Sequence, residues 1–162
     1  MMKMICFLLV LNFMAFGCSS KKEEKTTAST RQANEYPPLM LRFENGEESP
    51  AKELKGKNIF VMFQPDCSHC QEEAVLIEQH LAAFKNYTLY FISSSPMDQI
   101  MAFARNFNLD NKDNVKFAWT SSEGVLTYYG PIQTPSIYIY SEGKLRQKFN
   151  GQTEIETILQ AL

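Results

Sequence analysis

Asn58-Ile59-Phe60-Val61-Met62-Phe63-Gln64-Pro65-Asp66-Cys67-Ser68-His69-Cys70-Gln71 is the stretch on which the fold turns. From Ile59 to Phe63 every residue is apolar and two are β-branched, with no alternation. That pattern suits a strand buried on both faces of a sheet. Pro65 and Asp66 break it, and the period changes. Ala74, Ile77, Leu81 and Phe84 recur at helical spacing and predict a helix over 68–85. Two cysteines stand where strand gives way to helix.

Outward from this junction the chain alternates. Tyr36-Pro37-Pro38 favours extended backbone at the domain entry, 39–43 makes a short strand, and Glu44-Asn45-Gly46-Glu47 reads as a turn. Downstream, Thr88 to Ile92 is a second buried strand. Pro96 suits the first turn of a helix whose apolar face is Ile100, Phe103, Ala104 and Phe107. A short strand or extended segment follows at 116–119, then a short helix at 123–129. Strand-like runs at 136–140 and 145–149 flank Ser141-Glu142-Gly143-Lys144 and predict a hairpin, and a helix over 154–162 closes the chain. Alternating β and α argues for an α/β domain with a sheet covered on both faces, to which the hairpin adds antiparallel strands.

Of 162 residues, 44% are hydrophobic and 21% charged, ordinary for one globular domain. The net charge of −2 leaves no basic footprint, which argues against nucleic acid as a partner. Residues 1–17 read as an export signal, with Lys3 ahead of an apolar run from Ile5 to Phe16 that is short for a membrane span. Ala15-Phe16-Gly17-Cys18 resembles a bacterial lipobox, with Ala15 where Leu is usual and Phe16 where a small residue is usual. Cys18 would then carry lipid, and an uncleaved membrane anchor is the alternative. Residues 18–35 are polar and read as a flexible tether. The domain is thus 36–162, facing the exported side of a membrane in a bacterial cell envelope, most simply the periplasm.

Cys6 and Cys18 fall in the leader, so the domain keeps one close pair, Cys67 and Cys70. A disulfide-stapled fold would scatter its cysteines; this one is held by its core. Two intervening residues in a first helical turn bring the sulfurs close enough to form and break a Cys67–Cys70 disulfide. The helix N-terminus favours an anion, so Cys67 should ionise more readily than a free cysteine. Cys70, deeper, would resolve the mixed disulfide. Ser68 and Gln71 fit a capping box, and Asp66 fits a helix cap. Protonated His69 would stabilise the Cys67 thiolate, with an exposed first-turn residue as its bland reading. A carboxylate at Asp66 would oppose that thiolate.

Strand, C-x-x-C helix, strand, helix, then Thr134-Pro135 opening a hairpin and a closing helix: from Leu39 to Leu162 this resembles the thioredoxin superfamily. Within it the chain looks like the membrane-tethered, TlpA-like thiol-disulfide oxidoreductases and redoxins. The resemblance implies a three-layer fold around a central mixed sheet, with no cofactor. It makes Cys67 the nucleophile, Cys70 the resolving thiol and Pro135 a cis-proline facing them, with the Thr134 backbone pairing with substrate. Glu73 matches a glutamate linked to active-site acid-base behaviour in tethered reductases, although a solvated helix face would explain both Glu72 and Glu73. Two positions depart from the thioredoxin pattern: Asp66 replaces the usual Trp, and Val61 stands where a buried acid is usual.

Zinc needs four ligands, and beside this C-x-x-C the domain has only His69 and His80, so no metal is expected. Copper-chaperone relatives pair C-x-x-x-C with a distant histidine, and no histidine follows His80. A P-x-x-x-T-x-x-C peroxidase motif is absent. A non-catalytic binding module presenting Pro135 is the stronger rival. Among enzyme readings, tethering favours a reductase fed by a membrane electron donor and acting on exported proteins with cysteines or disulfides. The histidine in the motif instead resembles oxidases and isomerases.

Overall fold

In a computed structural model the described residues are 35–162; the expected signal sequence at 1–17, Cys18 and nearly all of the expected tether lie outside them. A seven-stranded mixed sheet organises the domain. Its strands are β1 (Met40–Phe43), β2 (Glu48–Pro50), β3 (Lys57–Met62), β4 (Thr88–Ser93), β5 (Val115–Trp119), β6 (Ser136–Ser141) and β7 (Lys144–Asn150), in the order β2-β1-β5-β4-β3-β6-β7. The middle strands β5, β4 and β3 run parallel, β6 and β7 add an antiparallel hairpin on one side, and β1 and β2 add another on the other.

The helices are α1 (Ser68–Gln79), α2 (Met97–Asn106), α3 (Ser122–Tyr129) and α4 (Ile155–Leu159). On one face α1, α2 and α4 cover Ile59, Val61, Phe63, Leu89, Phe91 and Phe117. On the other, α3 and the entry segment from Tyr36 to Leu41 cover an aromatic layer of Phe60, Tyr138 and Tyr140. Both faces of β3 are therefore buried, as its unbroken apolar run requires. The edge strand β7 is mostly exposed and carries Lys144, Arg146 and Lys148, charges that discourage pairing with another sheet.

Three elements differ from the sequence reading. β2 was not foreseen: Glu-Ser-Pro offers no apolar period, and its proline is tolerated because the strand is an edge. The helix expected over 68–85 stops at Gln79. The His80 N–H is shared between the Leu76 and Ile77 carbonyls, and its ring Nδ1 also meets the Leu76 carbonyl at 2.8 Å. A 3-10 turn, Leu81–Phe84, then keeps Phe84 buried against the same core. The closing helix spans five residues rather than nine, with Ile155 and Ile158 buried.

Candidate functional site

β3 delivers the chain to the site, and Phe63 fixes where it leaves the sheet. Its ring is 1% exposed and packs on Phe91, Phe103 and Phe117, with centroids 5.8, 4.5 and 6.2 Å away. Burying such a ring contributes about 1.5–3 kcal/mol. The Phe63 N–H still donates to Ile92, so Gln64 to Asp66 start from a rigid point. β6 runs antiparallel with Met62 opposite Ser136. That register brings Thr134 and Pro135, far along the chain, to the end of β3 where Cys67 opens α1. The Thr134–Pro135 peptide is cis.

Cys67 is itself the helix cap. Its backbone is extended and its Sγ accepts the Cys70 N–H at 3.3 Å. This displaces both proposed caps: Asp66 is exposed one residue too early, and Ser68 is already helical. The Gln71 side chain donates to the Pro65 carbonyl at 2.9 Å rather than closing a capping box. The Cys67 thiol also donates to the Thr134 carbonyl at 3.5 Å.

The two thiols are free and electrostatically opposite. Burial pushes the Cys67 thiol up, but hydrogen bonds from the Cys70 thiol, the Cys70 N–H, the Thr134 hydroxyl and the His69 N–H outweigh it and leave it below its ordinary value. Cys70 is 2% exposed, and burial, reinforced by its hydrogen bond to Cys67, pushes its thiol up to about 12. The Gln64 N–H opposes that rise. His69 acts on Cys67 through its backbone; its imidazole lies 3.6 Å from Glu72, both side chains being about three-fifths exposed.

Glu72 and Glu73 part company. Glu72 is solvated and accepts from Gln152 at 2.6 Å. Glu73 is 1% exposed, on the buried face of α1 with Cys70, Ala74 and Ile77. The solvated-face alternative therefore fails for Glu73. Neither of its carboxylate oxygens completes a hydrogen bond. Burial pushes its carboxyl up to about 7; the Thr153 N–H lies close enough to oppose this without meeting bonding geometry, and Glu154 adds to it. Three residues apart on one helix, Cys70 and Glu73 are neighbours.

Sequence reading passed over the residues that hold the facing loop. Asn150 Oδ1 accepts the Gln133 N–H at 3.0 Å, and the Gly151 N–H donates to the Pro135 carbonyl at 2.9 Å. Gln64 Oε1 accepts from Ser95 at 2.7 Å and Ser93 at 3.3 Å. Only Gly151 carried a signal, as the glycine ending the hairpin; its φ is +92°.

No protein-family model matches the chain, and no curated protein matches it. Solved structures do. A secreted Mycobacterium tuberculosis disulfide oxidoreductase homologous to E. coli DsbE is 15% identical, with 81% of this chain and 96% of that one covered at a TM-score of 0.64. A peroxiredoxin-like protein from Aquifex aeolicus is 14% identical, covering 79% and 84% at 0.63. Arabidopsis thaliana ScoI with copper bound is 14% identical, covering 77% and 93% at 0.61. Their chemistries differ and the architecture is common to all: this chain has the thioredoxin-like fold, with Cys67 and Cys70 at the start of α1.

Proposed function

We propose that the chain is an exported, lipid-anchored thiol-disulfide oxidoreductase that reduces disulfides of exported proteins. The observation that carries this is the division of labour in one helical turn: Cys67 partly exposed with its thiol held down, Cys70 buried with its thiol pushed up to about 12. Cys67 as thiolate attacks a substrate disulfide, one substrate sulfur leaves with the electron pair, and a mixed disulfide forms. The Thr134 carbonyl, released from the Cys67 thiol, accepts a substrate backbone N–H beside Pro135. Cys70 then attacks Cys67 and frees the second substrate thiolate. For that it must lose a proton, and in this reading Glu73, one turn on with its carboxyl near 7, takes it.

The other chemistries met on this fold suit the residues less well. The pair is C-x-x-C and no histidine follows His80, which disfavours a copper site of the chaperone kind. Among exchange enzymes, an oxidase gains its potential by stabilising the reduced form. The His69 imidazole is drawn to Glu72 rather than to sulfur, which favours a reductase fed from the membrane. Lys3, the apolar run and Cys18 support export and lipidation.

Disulfide exchange is the direct test. Reduced protein should reduce glutathione disulfide stoichiometrically and lose this in Cys67→Ser. Unchanged thiol titre after excess glutathione disulfide would leave only a binding module.

A further inference from the structure

Gln64 sits between the redox pair and the neighbouring strand, and the exchange steps leave its side chain unused. Its backbone serves both cysteines. The Gln64 carbonyl accepts the Cys67 N–H at 3.2 Å, and the Gln64 N–H is the stronger of two groups, with the Thr134 hydroxyl, that favour an anion at Cys70. Its side chain turns the other way. Oε1 accepts from Ser95 Oγ at 2.7 Å and from Ser93 Oγ at 3.3 Å, and the Ser95 N–H donates to Ser93 Oγ at 3.2 Å. The Ser93 hydroxyl thus accepts from the loop and gives its proton to the amide oxygen. These serines are themselves held. Ser93 ends β4 and is buried, and its carbonyl accepts the Thr120 N–H at 3.0 Å. The Trp119 Nε1–H donates to the Ser94 carbonyl at 3.3 Å. β5 therefore holds the serine loop, and the loop holds Gln64.

We propose that Gln64, clamped by Ser93 and Ser95, is a positioning residue for the resolving step: it holds its N–H towards Cys70 and so sets how fast Cys70 frees substrate from the mixed disulfide. The inference rests on the exchange reading above and concerns its second half. Fixing the side chain fixes the two peptide planes that meet at the Gln64 Cα, and those planes carry the N–H and C=O that serve the cysteines. The two thiols depend on this unequally. Four hydrogen-bonding groups favour the Cys67 thiolate, none of them from Gln64, whereas two favour that of Cys70 and Gln64 supplies one. A loosened Gln64 therefore handicaps the buried sulfur more than the exposed one.

The test separates the two halves of exchange. The full chain with Cys6→Ser and Cys18→Ser keeps the pair as its only thiols, and stopped flow follows its reaction with excess dithiobis(nitrobenzoate). The Cys67 thiolate attacks one reagent sulfur, the S–S bond breaks, and thionitrobenzoate leaves with the electron pair. Cys70, having given up its proton, attacks Cys67 Sγ, and a second thionitrobenzoate leaves; the pair loses two electrons and the reagent gains them. The first phase scales with reagent concentration and the second does not, so each yields its own rate constant. Gln64→Leu, which keeps the bulk and loses the amide, is expected to slow the second phase by about tenfold or more and the first far less. Ser95→Ala should slow the second phase in part, and Ser95→Thr, which keeps the hydroxyl, should match the parent. Equal slowing of both phases, a second phase unmoved by Gln64→Leu, or equal second phases in Ser95→Ala and Ser95→Thr overturn the clamp while leaving exchange intact. Release of fewer than two thionitrobenzoates per parent chain overturns the exchange reading itself.

Discussion

The Cys67 thiol donates to the Thr134 carbonyl at 3.5 Å across a sequence separation of 67 residues. The contact joins the helix cap to the loop opening β6, so the proposed nucleophile and the backbone that would hold its substrate are one unit. Burial of Cys70 beneath them separates the two sulfurs in acidity.

This separation assigns the order of attack. Cys70→Ser is expected to accumulate mixed disulfides with substrate proteins, visible on non-reducing gels. Cys67→Ser is expected to lose exchange by on the order of a thousandfold or more. Trapping by Cys67→Ser instead would invert the roles.

Alkylation should discriminate the thiols. Reaction of Cys67 with iodoacetamide should show a midpoint below that of an ordinary cysteine thiol, because its hydrogen bonds favour the thiolate. Cys70 should stay unmodified in the folded chain throughout that range. Equal labelling of both cysteines would contradict the geometry.

Glu73 has two consequences. As the group that takes the Cys70 proton it must be charged, so release of substrate from the mixed disulfide should quicken as pH rises through about 7. Glu73→Gln should remove that limb and leave attack by Cys67 unaffected. An identical release profile in both proteins would exclude the proton relay.

Stability should move the opposite way. The folded chain keeps the Glu73 proton to about 7, whereas the unfolded chain releases it near the ordinary value of 4.5. Between these values the folded state binds more protons, so stability falls as pH rises, by about 3 kcal/mol in all. Urea unfolding of wild type and Glu73→Gln at about pH 5 and about pH 8 reads this, with the variant losing much less. Parallel changes in the two would show that Glu73 titrates normally.

Gly151 ties the facing loop to the hairpin. A Cβ there would stand 3.0 Å from Gln133 Oε1 on a backbone at φ +92°. Gly151→Ala should cost about 1–3 kcal/mol and slow exchange, because the N–H that holds the Pro135 carbonyl shifts. Wild-type stability in that variant would mean the loop adapts freely.

The sequence disclosed what local patterns encode. Ile59 to Phe63 announced a central strand, the 74–77 spacing its helix, and Ser141 to Lys144 the hairpin turn. Glu73 was legible in part: it shares the helical face of Cys70, Ala74 and Ile77, and only its neighbour Glu72 made it look solvated. Asp66 misled because Cys67 caps the helix itself, a one-residue difference in frame. Gln64, Asn150 and β2 were hidden because their roles depend on partners brought close only by the sheet. The anchor proposed at Cys18 lies outside the described residues, and membrane fractionation of Cys18→Ala tests it: the protein should leave the membrane or fail to mature.

The central claim is that Cys67 and Cys70 form a working redox couple, and its reduction potential tests that most directly. The full chain would be equilibrated in dithiothreitol or glutathione buffers and the pair read by differential alkylation. A reversible two-electron couple near the thioredoxin value of about −270 mV is the result predicted for a reductase. No reversible couple across the accessible range would contradict the account.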